Sequence, residues 1–498
     1  MNVNPITRLD YPDPDVIRVE DPYYMVSTTM HFMPGCEILQ SFDLVHWEHA
    51  TYVYETLDHT DAQQLKSGQN IYGQGMWAAS LRYHEGRFYI CFVANDTRKT
   101  YLYTSEKIDG PWKKQLIEGF YHDGSLLFDE DGRNYIVYGN DEIWITELNE
   151  DLTAPKKDGL HRLLVSDHKN PELGYEGSHI QKINGYYYIF LIHSLRDRWM
   201  RTEACFYSDS LEGEFTGGDV LCDDRGYCGQ GVAQGGIVDT PDGKWYAMLF
   251  QDSGAVGRIP ILVPVTWKDH FPFFGQNGHV PEEIEVHSTR PGYIYQPLVG
   301  SDDFCNGLLP RWQFNHDPDP RYYYLDALQG TYTITTREVC TELTQAVNTL
   351  TQRMSYPSCA AEVTVDASAL KEGDVAGLCA LQSCYAAVGI TKHHGKYEVL
   401  MLDKKEDGIL DMTERTVVES HQMDFRLEAD FCNMKDEARC YYRVNKGDWL
   451  PIGTVHKLYF KLDHFTGCRF GLFCYAAEET GGSACFRDFK YYDVDEIS

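Results

Sequence analysis

Asn184-Gly185-Tyr186-Tyr187-Tyr188-Ile189-Phe190 reads as a tight turn feeding a β-strand, because Asn-Gly suits a hairpin turn and the aromatic run suits a pleated sheet. The phrase recurs upstream as Glu20-Asp21-Pro22-Tyr23-Tyr24-Met25-Val26, Glu85-Gly86-Arg87-Phe88-Tyr89-Ile90 and Asp131-Gly132-Arg133-Asn134-Tyr135-Ile136-Val137. It returns downstream as Asp242-Gly243-Lys244-Trp245-Tyr246-Ala247-Met248. The anchor tyrosines, Tyr24, Tyr89, Tyr135, Tyr188 and Tyr246, are 65, 46, 53 and 58 residues apart. Each interval suits one four-stranded blade, so five copies predict a five-bladed β-propeller. A second echo, Ser41-Phe42-Asp43-Leu44-Val45-His46-Trp47 and Ser105-Glu106-Lys107-Ile108-Asp109-Gly110-Pro111-Trp112, reads as a Ser-led turn that ends a blade, with Ser208-Asp209-Ser210-Leu211-Glu212-Gly213 as a weaker third copy. Two other readings compete: unrelated hairpins in a sandwich, and a parallel α/β sheet. The second needs amphipathic segments of roughly 10–15 residues between strands, and none is present.

The repeats stop after residue 268, and Arg290-Pro291-Gly292 and Gly300-Ser301-Asp302-Asp303 read as a strap and linker. Beyond them the alternation of Tyr332-Thr333-Ile334-Thr335-Thr336, Ala361-Glu362-Val363-Thr364-Val365 and Tyr397-Glu398-Val399-Leu400-Met401 predicts a jelly-roll-like β-sandwich. The expected division is 1–298 for the propeller and 299–498 for the sandwich.

Composition bounds the partners. The net charge of −31 opposes phosphate backbones and anionic membrane surfaces, so neither nucleic acid nor membrane is expected. Charged residues at 24% and apolar residues at 43% fit a folded chain, and the aromatic excess leans toward β-structure. No apolar run approaches the ~20 residues of a membrane span. Met1-Asn2-Val3-Asn4-Pro5 has neither the basic nor the apolar segment of a signal peptide. The 15 cysteines, an odd count without a Cys-x-x-Cys pair, read as reduced thiols in a cytoplasmic protein.

The repeat also supplies a coordinate system. Twelve residues before the four later anchors stand Trp77, Asp123, Glu176 and Gln234, and eleven before the first stands Asp13. In a propeller the innermost strand of each blade lines the axis, so one offset predicts one pocket. Three carboxyls in a common pocket are costly unless they share protons or meet a cation, which makes the set a candidate site rather than three turn caps. Pro12 and Pro14 flank Asp13, while Gly124-Ser125 and Gly177-Ser178 follow the other two acids and leave open space above them. Glycoside hydrolysis needs a proton donor and a second carboxylate, and a third, ionised acid would raise the donor's pKa. Trp77 offers an apolar platform for a sugar ring.

Tyr11-Pro12-Asp13-Pro14-Asp15-Val16-Ile17-Arg18-Val19, Trp77-Ala78-Ala79-Ser80-Leu81-Arg82-Tyr83, His122-Asp123-Gly124-Ser125-Leu126-Leu127-Phe128 and Tyr175-Glu176-Gly177-Ser178-His179 resemble glycoside hydrolase family 43. Ala233-Gln234-Gly235-Gly236-Ile237-Val238-Asp239-Thr240-Pro241 and Phe250-Gln251-Asp252-Ser253-Gly254-Ala255-Val256-Gly257-Arg258 look like its β-xylosidase and α-L-arabinofuranosidase branch. The resemblance spans nearly the whole chain and implies an inverting exo-glycosidase acting on arabinoxylan-derived oligosaccharides. It implies Asp13 as general base, Glu176 as general acid and Asp123 as the residue that tunes and orients Glu176. It further implies that Arg258 holds Asp123 or a sugar hydroxyl, and that Trp77 and Phe32 touch the terminal sugar. Where many members carry a channel histidine beside calcium or water, this chain has Gln234, whose carbonyl still suits a hard cation. Ca2+ in the channel is therefore open, while catalysis requires no cofactor.

A non-catalytic sugar-binding propeller and a retaining fructan-type glycosidase are the rival readings. Carboxyl separations of about 5–5.5 Å mark retaining enzymes and about 6.5–9.5 Å inverting ones. Gly226-x-x-Gly229-x-Gly231 reads as loop, Asp129-Glu130-Asp131-Gly132 as a hairpin turn, and His393-His394-Gly395 as a polar turn.

Overall fold

A computed structural model describes residues 2–493; residue 1 and residues 494–498, the outermost ends of the two expected domains and of the N-terminal reading, lie outside the described residues. The chain is all β apart from short 3-10 turns. Five separate four-stranded antiparallel sheets form the propeller, each laid down in simple up-and-down order. Their inner strands are Asp15–Arg18, Met76–His84, Ser125–Phe128, Glu176–Ile183 and Ile237–Asp239. The repeated aromatic phrase is the second strand of every blade: Tyr23–Val26, Arg87–Ala94, Asn134–Asn140, Tyr186–Ser194 and Trp245–Asp252. Tyr24, Tyr135, Tyr188 and Tyr246 are buried there. The Ser-led echo does not end its blade: the turns after Ser41, Ser105 and Ser208 lead into the fourth strands, Glu48–Tyr54, Lys113–Ile117 and Thr216–Leu221. In the first copy Asp43 accepts the backbone N–H groups of Val45 and His46 at 3.0 and 2.8 Å, which makes an Asx turn.

Sheets that share no ladder need side chains to join them. Arg82 does this at the hub, binding Asp15 Oδ2 at 2.7 Å, Ser125 Oγ at 2.7 Å, Leu126 O at 2.9 Å and Ile180 O at 3.1 Å, so one guanidinium ties four blades. Burial opposes ionisation of Asp15, yet Arg82 and His179 (Nδ1 3.1 Å from Oδ1) hold its carboxyl down to about 2. Arg18 closes the ring onto the fifth blade through Asp239 O and Oδ2.

The C-terminal part is a sandwich of an eight-stranded and a seven-stranded sheet over one apolar core. Its strands run from Gln313–Asn315 to Ser483–Asp493, and the expected division at 298/299 falls in the stretch leading to them. The outermost strand of the eight-stranded sheet comes from the propeller: Phe32–Met33 pairs with Gln313–Asn315. Propeller residues Ala255, Val256 and Ile259 belong to the sandwich core. Buried polar groups also span the seam. Asp10 accepts the N–H of Arg258 at 2.7 Å and of Gly467 at 2.8 Å. Arg353 pairs with Glu37 at 2.8 Å and donates from Nε to Asp10 O at 2.8 Å. The approach requires glycine: a Cβ on Gly257 would stand 2.1 Å from Asp10 Oδ1, and one on Gly467 2.0 Å from Val256 O. Among the described residues no helix is long and apolar enough to cross a membrane.

Three histidines meet at this seam, His31 from the propeller and His316 and His464 from the sandwich, with ring centroids 4.7 and 5.3 Å from His31. All are buried, and burial pushes their pKa values down, His316 to about 3 and His464 to about 4. A base with a depressed folded pKa contributes stability above its unfolded value near 6.5 and loses it as pH falls, by up to about 1.4 kcal/mol per unit. Neither ring nitrogen of His464 has a hydrogen-bond partner, so phenylalanine is a fair isostere. Relative to His464→Phe, the wild type is expected to lose about 2 kcal/mol between pH 7 and 5, read by urea unfolding at both pH values. Parallel losses in the two proteins contradict this.

Candidate active site

The inner strands start at one mouth of the propeller, and the residues at their start are turned inward by local backbone devices. Asp13, Asp123 and Gln234 adopt left-handed φ values of 51°, 48° and 60° just before their strands. Such backbone is costly for a non-glycine residue and persists where surrounding structure fixes it. In the second and fourth blades the ladder register shifts between Met76 and Ala79 and between Glu176 and His179, so bulges re-aim Trp77 and Glu176.

The result is a cavity of about 200 Å³ whose wall includes Asp13, Trp77, Asp123, Glu176, Gln234 and Arg258. Five blades thus meet in one space, as the repeat offsets predict. His122, Arg201, Leu173 and the sandwich residues Leu462 and Phe465 complete it.

The three acids have different surroundings. Asp13 receives Arg258 Nη1 on Oδ1 and Thr28 Oγ1 on Oδ2, both at 2.6 Å. Of the two expected partners of Arg258, Asp123 or a sugar hydroxyl, Asp123 is not the one it meets: it pairs with Asp13, its Nε reaches Asp252 Oδ1 at 3.3 Å, and Asp252 also binds Arg201. The Arg258 guanidinium lies 4.0 Å from the Phe465 ring centre and 4.5 Å from that of Phe250. Asp123 Oδ2 accepts the Gly177 N–H at 2.9 Å, and Glu176 Oε2 accepts Asn140 Nδ2 at 2.6 Å.

His122 Nε2 lies 3.5 Å from Asp123 Oδ2 and 3.7 Å from Glu176 Oε2. Burial opposes its charge, but the surrounding carboxylates push its pKa up to about 9. Burial, together with the Glu176 and Asp13 charges, pushes Asp123 up to about 6 against the pull of His122. Glu176 is held below the usual carboxyl range despite its burial, because His122 faces it. His122 stands within ion-pair distance of both carboxyls, and at Glu176 its pull outweighs burial.

The family model described as Glycosyl hydrolases family 43 matches residues 3–272, more than half of the chain, and the Beta xylosidase C-terminal Concanavalin A-like domain matches 301–492. The chain belongs to glycosyl hydrolase family 43. It is accordingly a glycoside hydrolase, with the propeller and sandwich described above. A protein named beta-xylosidase from Formosa agariphila is 27% identical over 99% of this chain and 89% of its own length. One named non-reducing end alpha-L-arabinofuranosidase, from Bacteroides ovatus, is 24% identical over 82% of this chain and 79% of its own length. The solved structure of a bifunctional GH43-CE protein of Bacteroides eggerthii superposes with a TM-score of 0.91 at 42% identity over the full chain, which spans 64% of that longer protein.

One sequence-derived residue of this family 43 enzyme sits differently from expectation. Phe32 does not line the cavity: it is buried on the edge strand joined to the sandwich, with the Arg469 guanidinium 3.4 Å over its ring. Gln234 lines the cavity as the repeat offset predicts. Its N–H is bound to Glu203 Oε2 at 2.7 Å, and Glu203 is a buried acid that burial keeps far above the usual range. Two buried guanidiniums, Arg201 and Arg258, share the same wall, and Asp13 and Asp252 are already paired with them.

Sequence reasoning passed over His122, Asn140, Arg201 and Phe465. His122 had a usable signal, since it precedes Asp123 directly. Arg201 starts the third strand of its blade, Arg201–Ser208, and Phe465 lies on a sandwich loop about 200 residues after the last blade, so no repeat offset reaches them.

Proposed function

We propose that this family 43 enzyme is an inverting, exo-acting glycosidase that releases terminal α-L-arabinofuranosyl or β-D-xylosyl residues from short arabinoxylan-derived oligosaccharides. The observation that carries the reading is the convergence of three carboxyls in one small cavity under three different sets of partners. Asp13, with a side chain 3% exposed and both oxygens bound by Arg258 and Thr28, suits the general base that orients and deprotonates water. Glu176, with a side chain 23% exposed, reaches toward the mouth where a leaving oxygen departs and suits the general acid. Asp123 is anchored by Gly177 and, like Glu176, faces His122. Trp77, whose ring stands edge-on to that of Phe465 at 5.3 Å, supplies an apolar wall for the sugar. A cavity of about 200 Å³ under Leu462 and Phe465 suits one terminal sugar better than the middle of a chain. The names of the two relatives agree with xylose and arabinose as the sugars. The reaction as read needs no metal: two carboxyls move the protons, and Arg258 fixes the base.

The test pairs nitrophenyl α-L-arabinofuranoside with nitrophenyl β-D-xyloside, with and without chelator, and follows the first product anomer by proton NMR. The expected result is monosaccharide release with inverted anomeric configuration, unchanged by chelator. Binding without release supports a sugar-binding propeller instead, and retained configuration supports a retaining glycosidase; either overturns the proposal. A cytoplasmic location is part of the same proposal, supported by fifteen free thiols, ten of them in the sandwich half of the chain.

A further inference from the structure

His122 stands on the turn before the inner strand Ser125–Phe128. Its Nε2 is buried and makes no hydrogen bond, yet faces Asp123 Oδ2 and Glu176 Oε2 within ion-pair distance of both. Each of those oxygens already accepts one donor, from Gly177 and Asn140, so the imidazole points at the remaining acceptor capacity of both. The Trp77 ring packs edge-on to it, with centroids 6.0 Å apart. The other charged groups on the cavity wall are Asp13, Arg201 and Arg258, joined by Asp252 behind the two arginines, while the sandwich contributes only the uncharged Leu462 and Phe465.

The charges of this cluster nearly cancel. Asp13, Asp123, Glu176 and Asp252 are four carboxyls, and Arg201 and Arg258 are two fixed cations. An imidazolium at position 122 is the third cation, so a single carboxyl proton brings the cluster to neutrality. Low-dielectric surroundings favour that balance. The remaining proton is then shared by Asp123 and Glu176, the only carboxyls without a guanidinium.

We propose that His122 is the positioning residue of the acid: as an imidazolium between Asp123 and Glu176 it holds both carboxyls on one shared proton and makes Glu176 a stronger proton donor. The inference rests on the reading of Glu176 as general acid. His122 does not touch the sugar. Its cation selects the protonation state, and its stiffness fixes the Glu176 carboxyl toward the leaving oxygen.

The direction of the pH effect follows from the charges. The imidazolium remains protonated well above neutrality, so the alkaline limb of activity reports loss of the carboxyl proton from the Asp123 and Glu176 pair. Without the cation that proton is held more tightly, and the limb moves up.

The experiment compares wild type, His122→Phe and His122→Gln, the last keeping a donor but no charge. kcat/KM is measured against pH, and kcat and KM are measured on a disaccharide and on a dinitrophenyl glycoside of the same sugar. Both variants are expected to shift the alkaline limb upward by at least about one pH unit. A weaker donor slows poor leaving groups, so kcat on the disaccharide falls at least about tenfold while the dinitrophenyl glycoside stays within about threefold, with KM little changed. His122→Gln decides if His122→Phe unfolds. An active wild type whose alkaline limb coincides with that of His122→Gln overturns the role of His122 alone. A wild type inactive on both substrates overturns the acid assignment and this inference with it.

Discussion

Glu176→Gln is expected to keep the fold and lower kcat on an unactivated oligosaccharide by about 10³-fold or more, within the range removed with a general acid. The amide is isosteric and still accepts from Asn140 Nδ2, so geometry survives while the transferable proton is lost. A dinitrophenol leaving group needs no protonation, so the same variant should retain much of its rate on a dinitrophenyl glycoside. Asp13→Asn should behave differently. Its water-activating carboxylate is needed whatever leaves, so both substrates should lose rate together. Steady-state kinetics of the two variants on the two substrates separate the roles. Equal losses on both substrates for Glu176→Gln would contradict its assignment as the acid.

Arg353→Ala should be the most damaging single change at the seam, costing about 3–5 kcal/mol, as expected when one partner of a buried ion pair is removed. Arg353 is buried, pairs with Glu37 and covers the Tyr11 ring at 4.1 Å. Burial opposes ionisation of Glu37, and Arg353 overcomes that to hold it below the usual range. Without the guanidinium, Glu37 keeps only His49, 3.0 Å away, as a charge partner. The damage should reach the chemistry. Arg353 holds the Asp10 carbonyl, and the Asp10 side chain binds the backbone of Arg258 and of Gly467, two residues after Phe465. Urea unfolding should show the loss of stability, and kcat/KM should fall although no cavity-lining residue has changed. A variant with wild-type unfolding and activity would show that the seam does not support the site.

How much of the site was legible depended on whether a residue belonged to the repeat. Asp13, Trp77, Asp123, Glu176 and Gln234 were found by counting from the anchor tyrosines, because every blade starts its inner strand at a similar distance before the aromatic strand. Arg258 was visible in the family-like run but its carboxylate partner was not: the sequence suggested Asp123 or a sugar hydroxyl, and the fold puts it on Asp13. Phe32 was expected at the sugar, but strand pairing with Gln313–Asn315 draws it into the sandwich edge. The net shift at Glu176 was out of reach of a charge argument from the acids alone, because His122 faces both carboxyls and its pull outweighs burial.

The order of turns, aromatics and apolar runs was enough to determine five blades, a second β-domain and a ring of acids at one mouth, since these follow from local periodicity repeated along the chain. Only the tertiary structure decided which cation meets which carboxylate, that a sandwich loop closes the cavity, and that His122 faces two of the acids. Those outcomes depend on distances of a few ångströms between side chains that can be hundreds of residues apart, and the balance between Coulomb attraction and desolvation is decided over that range.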